Sequence, residues 1–233
     1  MSNRSAVPFL IMVFFGVLVS ASGLSVRVIQ GGVPIASPRE LIEEGIRLGN
    51  SELLRKAWGS YEQAVKLEPN VIDGYMQLGR IYFHLSMMGV ATDDEFQKVR
   101  NYARQALSKS PEIADSHHLM GMVLSGKGSY LDAIDELRLA LNLKPGNEFI
   151  LCDMAAIHLA LHQPEESINI LEGKKLKDGW SYFILSLAWL QKGAKGRALL
   201  NLNKAKNVGF SGYWLDKTLS ALEKDLGIPL KLH

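Results

Sequence analysis

The chain has 233 residues, 47% of them hydrophobic, enough for one ordinary core or one stacked helical array. Its 26 basic and 24 acidic residues leave a formal charge of +2, so no strong global field draws nucleic acid to it. The single cysteine, Cys152, excludes an internal disulfide framework and a multi-cysteine zinc site.

The first residues differ from everything that follows. Arg4 precedes an apolar run from Val7 to Val19, and the small residues Ser20, Ala21, Ser22 and Gly23 come next. That order of charge, apolar stretch and small-residue exit is the pattern of a secretory signal, with Val19 and Ala21 placed for cleavage. The run is short for a membrane span of about 20 residues, but Leu24, Val26 and Val28 extend it toward an uncleaved anchor. Residues 1–23 are therefore expected to be a signal peptide or a membrane anchor. Both place the rest outside the cytoplasm, periplasmic or membrane-associated. No cysteine follows the run, which excludes a bacterial lipoprotein anchor. Residues 24–37 carry Gly31, Gly32 and Pro34 and read as a linker, with a short extended piece at Val26–Ile29.

Beyond the linker a spacing recurs. Ser37 is a good N-cap and Pro38 suits a first helical position. Counting Pro38 as position 1, Gly45 stands at 8, Ala57 at 20, Tyr61 at 24, Ala64 at 27 and Pro69 at 32. A second unit starts near Ile72, with Tyr75, Leu78, Gly79 and Tyr82 at 4, 7, 8 and 11. Its second half (Val99, Ala103, Ala106, Pro111) arrives eight residues late. Gly89 marks a stop there, and Thr92 with Glu95 forms a capping-box pattern for the next helix. The spacing predicts a longer connection and one extra helical turn.

The third unit, from Ala114, is the cleanest. Gly121, Ala133 and Ala140 are small, Leu124, Tyr130, Leu137 and Leu141 are large, and Pro145 closes it. Positions 4, 7, 8 and 11 share one face of a first helix, and 20, 24 and 27 share a face of a second. Glycine or alanine at 8, 20 and 27 lets the two backbones approach. Proline then ends the second helix, because it cannot continue the hydrogen-bond ladder. A fourth unit near Glu148 has Leu151, Met154, Ala155 and His158 on its first helix. Lys174 replaces the small residue at 27, and Gly173 predicts an early end. The fifth, near Gly179, has Tyr182, Leu185, Ser186 and Trp189, then Ala198, Leu202 and Ala205. Leu215, Leu219 and Leu222 predict a capping helix within 213–226.

This pattern resembles the tetratricopeptide repeat (TPR), a 34-residue helix–turn–helix unit. The resemblance covers residues 38–212, with units near 38–71, 72–113, 114–147, 148–178 and 179–212. It implies an all-α, right-handed TPR solenoid of about five repeats, with a C-terminal capping helix and tail over 213–233. It also implies a concave groove lined by first-helix positions 2, 5, 9 and 12. Those positions give Ile46, Met76, Arg80, Phe83, His118, Met122, Cys152, Leu159, Phe183 and Leu187 as candidate partner-binding residues. TPR co-chaperones that grip a terminal carboxylate carry Lys and Asn at 5 and 9. Neither type occurs at those positions here, so that partner is rejected. Trp180, Phe183, Leu187 and Leu190 have two readings, an open apolar groove or burial against the capping helix.

No phosphate loop, nucleophile elbow or zincin motif is present, so no catalytic residue, metal site or cofactor is expected. His158 and His162 stand four apart on one helix, but no third ligand accompanies them. Lys174, Lys175, Lys177, Lys192, Lys195 and Arg197 form a basic stretch that suits an anionic membrane surface or an acidic partner. The expected function is a non-catalytic interaction scaffold or assembly factor, secreted or tethered, gripping a peptide or helix of a partner protein. The alternative, beside a remote metal-binding or enzymatic reading, is a chaperone-like carrier for apolar client segments. Neither takes nucleic acid or a small-molecule substrate.

Overall fold

The computed structural model describes residues 36–226, together with Ile29–Gln30 and Val33–Pro34. Those two short pieces pair as antiparallel strands β1 and β2, with Ile29 opposite Pro34. The expected extended piece at Val26–Ile29 lies outside the described residues except for Ile29. The apolar segment 1–23 lies outside them altogether. No helix among the described residues is long and apolar enough to cross a membrane.

Eleven helices follow among the described residues. They are α1 (Pro38–Leu48), α2 (Ser51–Leu67), α3 (Ile72–Met87), α4 (Asp93–Lys109), α5 (Ala114–Lys127), α6 (Tyr130–Leu143), α7 (Glu148–Ala160), α8 (Pro164–Leu171), α9 (Gly179–Gln191), α10 (Lys195–Asn207) and α11 (Tyr213–Leu226). Successive helices pack as hairpins, and the hairpins stack into an all-α solenoid that α11 caps.

Local chemistry explains where the helices begin. Ser37 accepts from the Glu40 N–H while the Glu40 carboxylate takes the Ser37 N–H, and Thr92 and Glu95 repeat the arrangement at α4. Asn50, Asn147 and Asp178 cap α2, α7 and α9 with their side-chain oxygens. The eight-residue excess of the second pair is shared out. Relative to α5, α6 and their two-residue turn, α3 is two residues longer, the 88–92 connection three longer and α4 three longer.

The glycines at position 8 sit where helices touch. A Cβ on Gly45 would come within 2.9 Å of Leu54, and one on Gly121 within 2.7 Å of Leu137, each on the partner helix of the same hairpin. Gly79 differs. An added Cβ there would run into Leu119 of α5, so this glycine brings two hairpins together. The second-helix alanines Ala57, Ala103, Ala133, Ala140, Ala198 and Ala205 are fully buried.

One buried cluster runs from α1 to α5 around Leu54, Tyr75, Leu78, Leu85 and Leu119. Another unites α7 to α11 around Phe183, Ala188, Leu202 and Leu222. A smaller one joins α6 to α7 through Leu137, Ile150 and Ile157.

The array also closes on itself, which the repeat spacing does not announce. A Cβ on Gly49, just past α1, would meet the Tyr213 ring of α11 at 2.7 Å. A Cβ on Gly212 would fall against the Arg47 backbone carbonyl. Further in, the Trp180 ring at the start of α9 stands 5.6 Å from His84 of α3, edge to face. The capping helix therefore touches the first hairpin, and the last hairpin touches the second.

Candidate functional site: a half-open cavity on the concave side of the helical array

Closure turns the concave side into a cavity of about 800 Å³. First helices contribute most of its wall, and their share falls along the chain. Positions 2, 5, 9 and 12 of α3 reach it (Asp73, Met76, Arg80, Phe83); α5 supplies 2, 5 and 9 (Asp115, His118, Met122). From α7 only 2 and 5 reach it (Phe149, Cys152), and from α9 only 2 (Trp180). Helix α1 adds Arg39 and Ile46.

Seven of the ten sequence-predicted groove residues thus line one cavity: Ile46, Met76, Arg80, Phe83, His118, Met122 and Cys152. The structure places Leu159, Phe183 and Leu187 elsewhere. Phe183 is 1% exposed, its ring 5.3 Å from Trp180 and 5.0 Å from Phe210. Leu159 and Leu187 pack, with Leu190, into the cluster of the last two hairpins. The physical reason is Phe210. It follows α10, folds back over Gly179, and fills the space that an open groove would leave to Phe183.

The wall carries charges of both signs. On the rim, Arg39 pairs with Glu43 at 3.2 Å, and Arg47 pairs with Glu44. His118 is buried, and its Nε2 lies 2.7 Å from Asp153 of the next hairpin. Asp73 accepts from Gln77. Arg80 is half-buried and forms no hydrogen bond or ion pair among the described residues. Desolvation pulls its guanidinium below the ordinary value, and Glu43 offsets this in part. Burial and the nearby Arg80 hold His84 neutral, at about 3. Burial likewise raises the Asp178 carboxyl, although it accepts the Ser181 N–H at 3.2 Å.

Cys152 is buried, and desolvation pushes its thiol well above the ordinary range, so it stays protonated. His158 and His162 do not face a common point. His158 bonds Gln163, while His162 meets Gln191. Among the described residues no group of three or more His, Cys, Asp or Glu side chains could hold a metal ion.

Sequence reasoning missed His84, Asp153, Asp178 and the turn Val208–Ser211, all of which line the cavity. His84 is one residue off the groove positions, and the turn lies outside any repeat helix. The basic stretch is also less bare than its local sequence implies. Lys192 pairs with Glu165 at 2.9 Å, Lys195 with Asp225 at 2.7 Å and Arg197 with Glu172 at 3.9 Å, and Arg197 also lies over the Trp189 ring. Lys174, Lys175 and Lys177 stay exposed on the loop after α8.

No protein-family model matches the chain. It is similar to the human protein O-mannosyl-transferase TMTC3, with 25% identity over 127 residues; the match covers 52% of this chain and only 14% of that protein. Two solved structures share its architecture. A tetratricopeptide repeat protein from Parabacteroides merdae superposes with a TM-score of 0.61 at 13% identity, covering 79% of this chain and 70% of that one. A thermophilic TPR protein from Thermus thermophilus superposes with a TM-score of 0.59 at 14% identity, covering 79% of this chain and 98% of that one. At such identities the likeness is one of fold, and that fold is a TPR-like helical-repeat array.

Proposed function

We propose that this chain is a non-catalytic protein–protein interaction module that receives a segment of a partner protein in the half-open cavity. Residues 1–23 deliver it across a membrane or tether it there, on the extracytoplasmic side. The observation that supports this most is the wall itself. All five hairpins contribute to it, and it offers apolar side chains (Met76, Phe83, Met122) beside polar and charged ones (His118, Arg80). Such a mixture suits a peptide, which presents both backbone and side chains to be satisfied. The exposed Lys174, Lys175 and Lys177 would add contact with an anionic membrane surface.

Crosslinking and mass spectrometry on intact membranes test the reading. Partner crosslinks should map to α3 and α5, and Met76→Trp, which pushes a bulky ring into the cavity where the partner would lie, should abolish them. Crosslinks confined to second helices and indifferent to Met76→Trp would refute it. The mass of the mature amino terminus separates cleavage from anchoring.

A further inference from the structure

The reading of the cavity as a protein-binding site leaves the chemistry of the bound segment open, and one residue narrows it. Arg80 stands on α3 with Met76, Phe83 and His84 beside it, and its side chain lines the cavity. The rim arginines Arg39 and Arg47 are each satisfied by a glutamate one turn away. Arg80 is not. Its nearest acids are Glu43, which Arg39 already holds, and Asp178, whose carboxylate takes the Ser181 N–H. Neither comes within ion-pair distance of it. A guanidinium partly withdrawn from water without a partner is costly, and its planar fork of donors matches a carboxylate through two parallel hydrogen bonds.

We propose that Arg80 is the anchor for a carboxylate on the partner segment, and that the segment is short and carries a single acidic residue whose neighbouring apolar side chain enters between Met76, Phe83 and Met122. This rests on the cavity being the binding site. A single carboxylate fits better than a doubly charged phosphate. Asp73, Asp115, Asp153 and Asp178 share the wall, and each would repel the second charge. Trp180 and His84 close the cavity beside Arg80, and His84 stays neutral there, so it adds no competing positive charge.

The experiment is selection of short random peptides on the full-length chain, followed by affinity measurement with the selected peptides. The peptides should share an Asp or Glu next to an apolar residue. Changing that acid to its amide, or making Arg80→Met in the protein, should each weaken binding about ten- to a hundredfold. The two changes together should cost little more than either alone. Arg80→Lys should fall between. Arg80→Met should also melt about 2–4 °C higher, because an unpaired desolvated charge has been removed. Peptides without a shared acid, or an Arg80→Met protein that binds as before and melts lower, would overturn the carboxylate assignment. If Met76→Trp still abolished binding in that case, the cavity would remain the binding site. Selected peptides insensitive to both Arg80→Met and Met76→Trp, or no selected peptide at all, would overturn both readings.

Discussion

The third and fourth hairpins begin alike and end differently. Helices α5 and α7 run 14 and 13 residues, but α6 runs 14 and α8 only 8. In the third hairpin Ala140 holds position 27 and is fully buried, in the cluster that joins α6 to α7. The fourth has Lys174 there, exposed, after Gly173 has ended the helix with φ of 76°. A loop replaces the missing turns. Leu176 drops into the core at 7% exposure, and the Glu148 carboxylate accepts the N–H groups of Lys177 and Asp178 at 3.0 and 2.9 Å. The loop ends at Asp178, which caps α9 and leads directly into Trp180. What the fourth hairpin lacks in helix it returns as a connection that delivers three cavity residues, Asp178, Gly179 and Trp180.

Exchanging position 27 between the hairpins gives the largest expected effect. Ala140→Lys forces a charge into a fully buried alanine site and should cost about 4 kcal/mol or more in denaturant unfolding. Lys174→Ala should stay within about 0.5 kcal/mol. Equal costs would mean that the loop, and not the helix, carries packing in both hairpins.

The delivered Trp180 makes the second contrast testable through pH. His84 beneath it titrates at about 3 in the folded chain, against an ordinary value of 6.5. Between those values the unfolded chain binds a proton that the folded chain refuses, so stability falls as pH falls. The slope is up to about 1.4 kcal/mol per pH unit, reaching about 3 kcal/mol by pH 4. His84→Phe should remove that part of the acid sensitivity. An unchanged pH profile in this variant would show that the ring is not held neutral.

Leu176→Ala should cost about 2–3 kcal/mol, the ordinary penalty for a buried leucine. A cost near zero would show that the loop merely spans the gap. The smallest effect concerns the two hairpin turns. Gly128 follows α5 with φ of 87°, where His162 follows α7 with φ of 57°. Side chains rarely adopt that backbone, so His162→Gly should stabilise by about 1 kcal/mol, and Gly128→His should destabilise by a similar amount. The bond between His162 and Gln191 would reduce the gain in the first case.

Much of the fold was legible because TPR-like packing needs small residues at set depths. Gly45, Gly79 and Gly121 marked three hairpins, and the late Val99 gave the size of the insertion. The cavity was legible in part for the same reason. Positions 2, 5 and 9 project inward wherever neighbouring hairpins leave room, as Met76, Arg80 and His118 do. What could not be read was closure. The pairing of Trp180 with His84, and of Tyr213 with Gly49, joins residues far apart in sequence. Their meeting depends on rotation accumulated over several hairpins, which no single repeat encodes. Phe183 was placed with the groove residues because its position within the repeat ignores Phe210. The basic stretch looked bare because Glu165, Glu172 and Asp225 lie outside it in sequence and beside it in space.

The contact of Gly212 with the Arg47 carbonyl leaves no room for a methyl group. Open solenoids gain and lose repeats readily, since each unit needs only its neighbours. Here the count is locked. A duplicated hairpin inserted between α2 and α9 would carry Gly212 past Arg47 and lift Trp180 from His84. A deleted one would drive those pairs into collision. Descendants of this array are therefore free to vary loops and outward faces, but not the number of turns around the hollow.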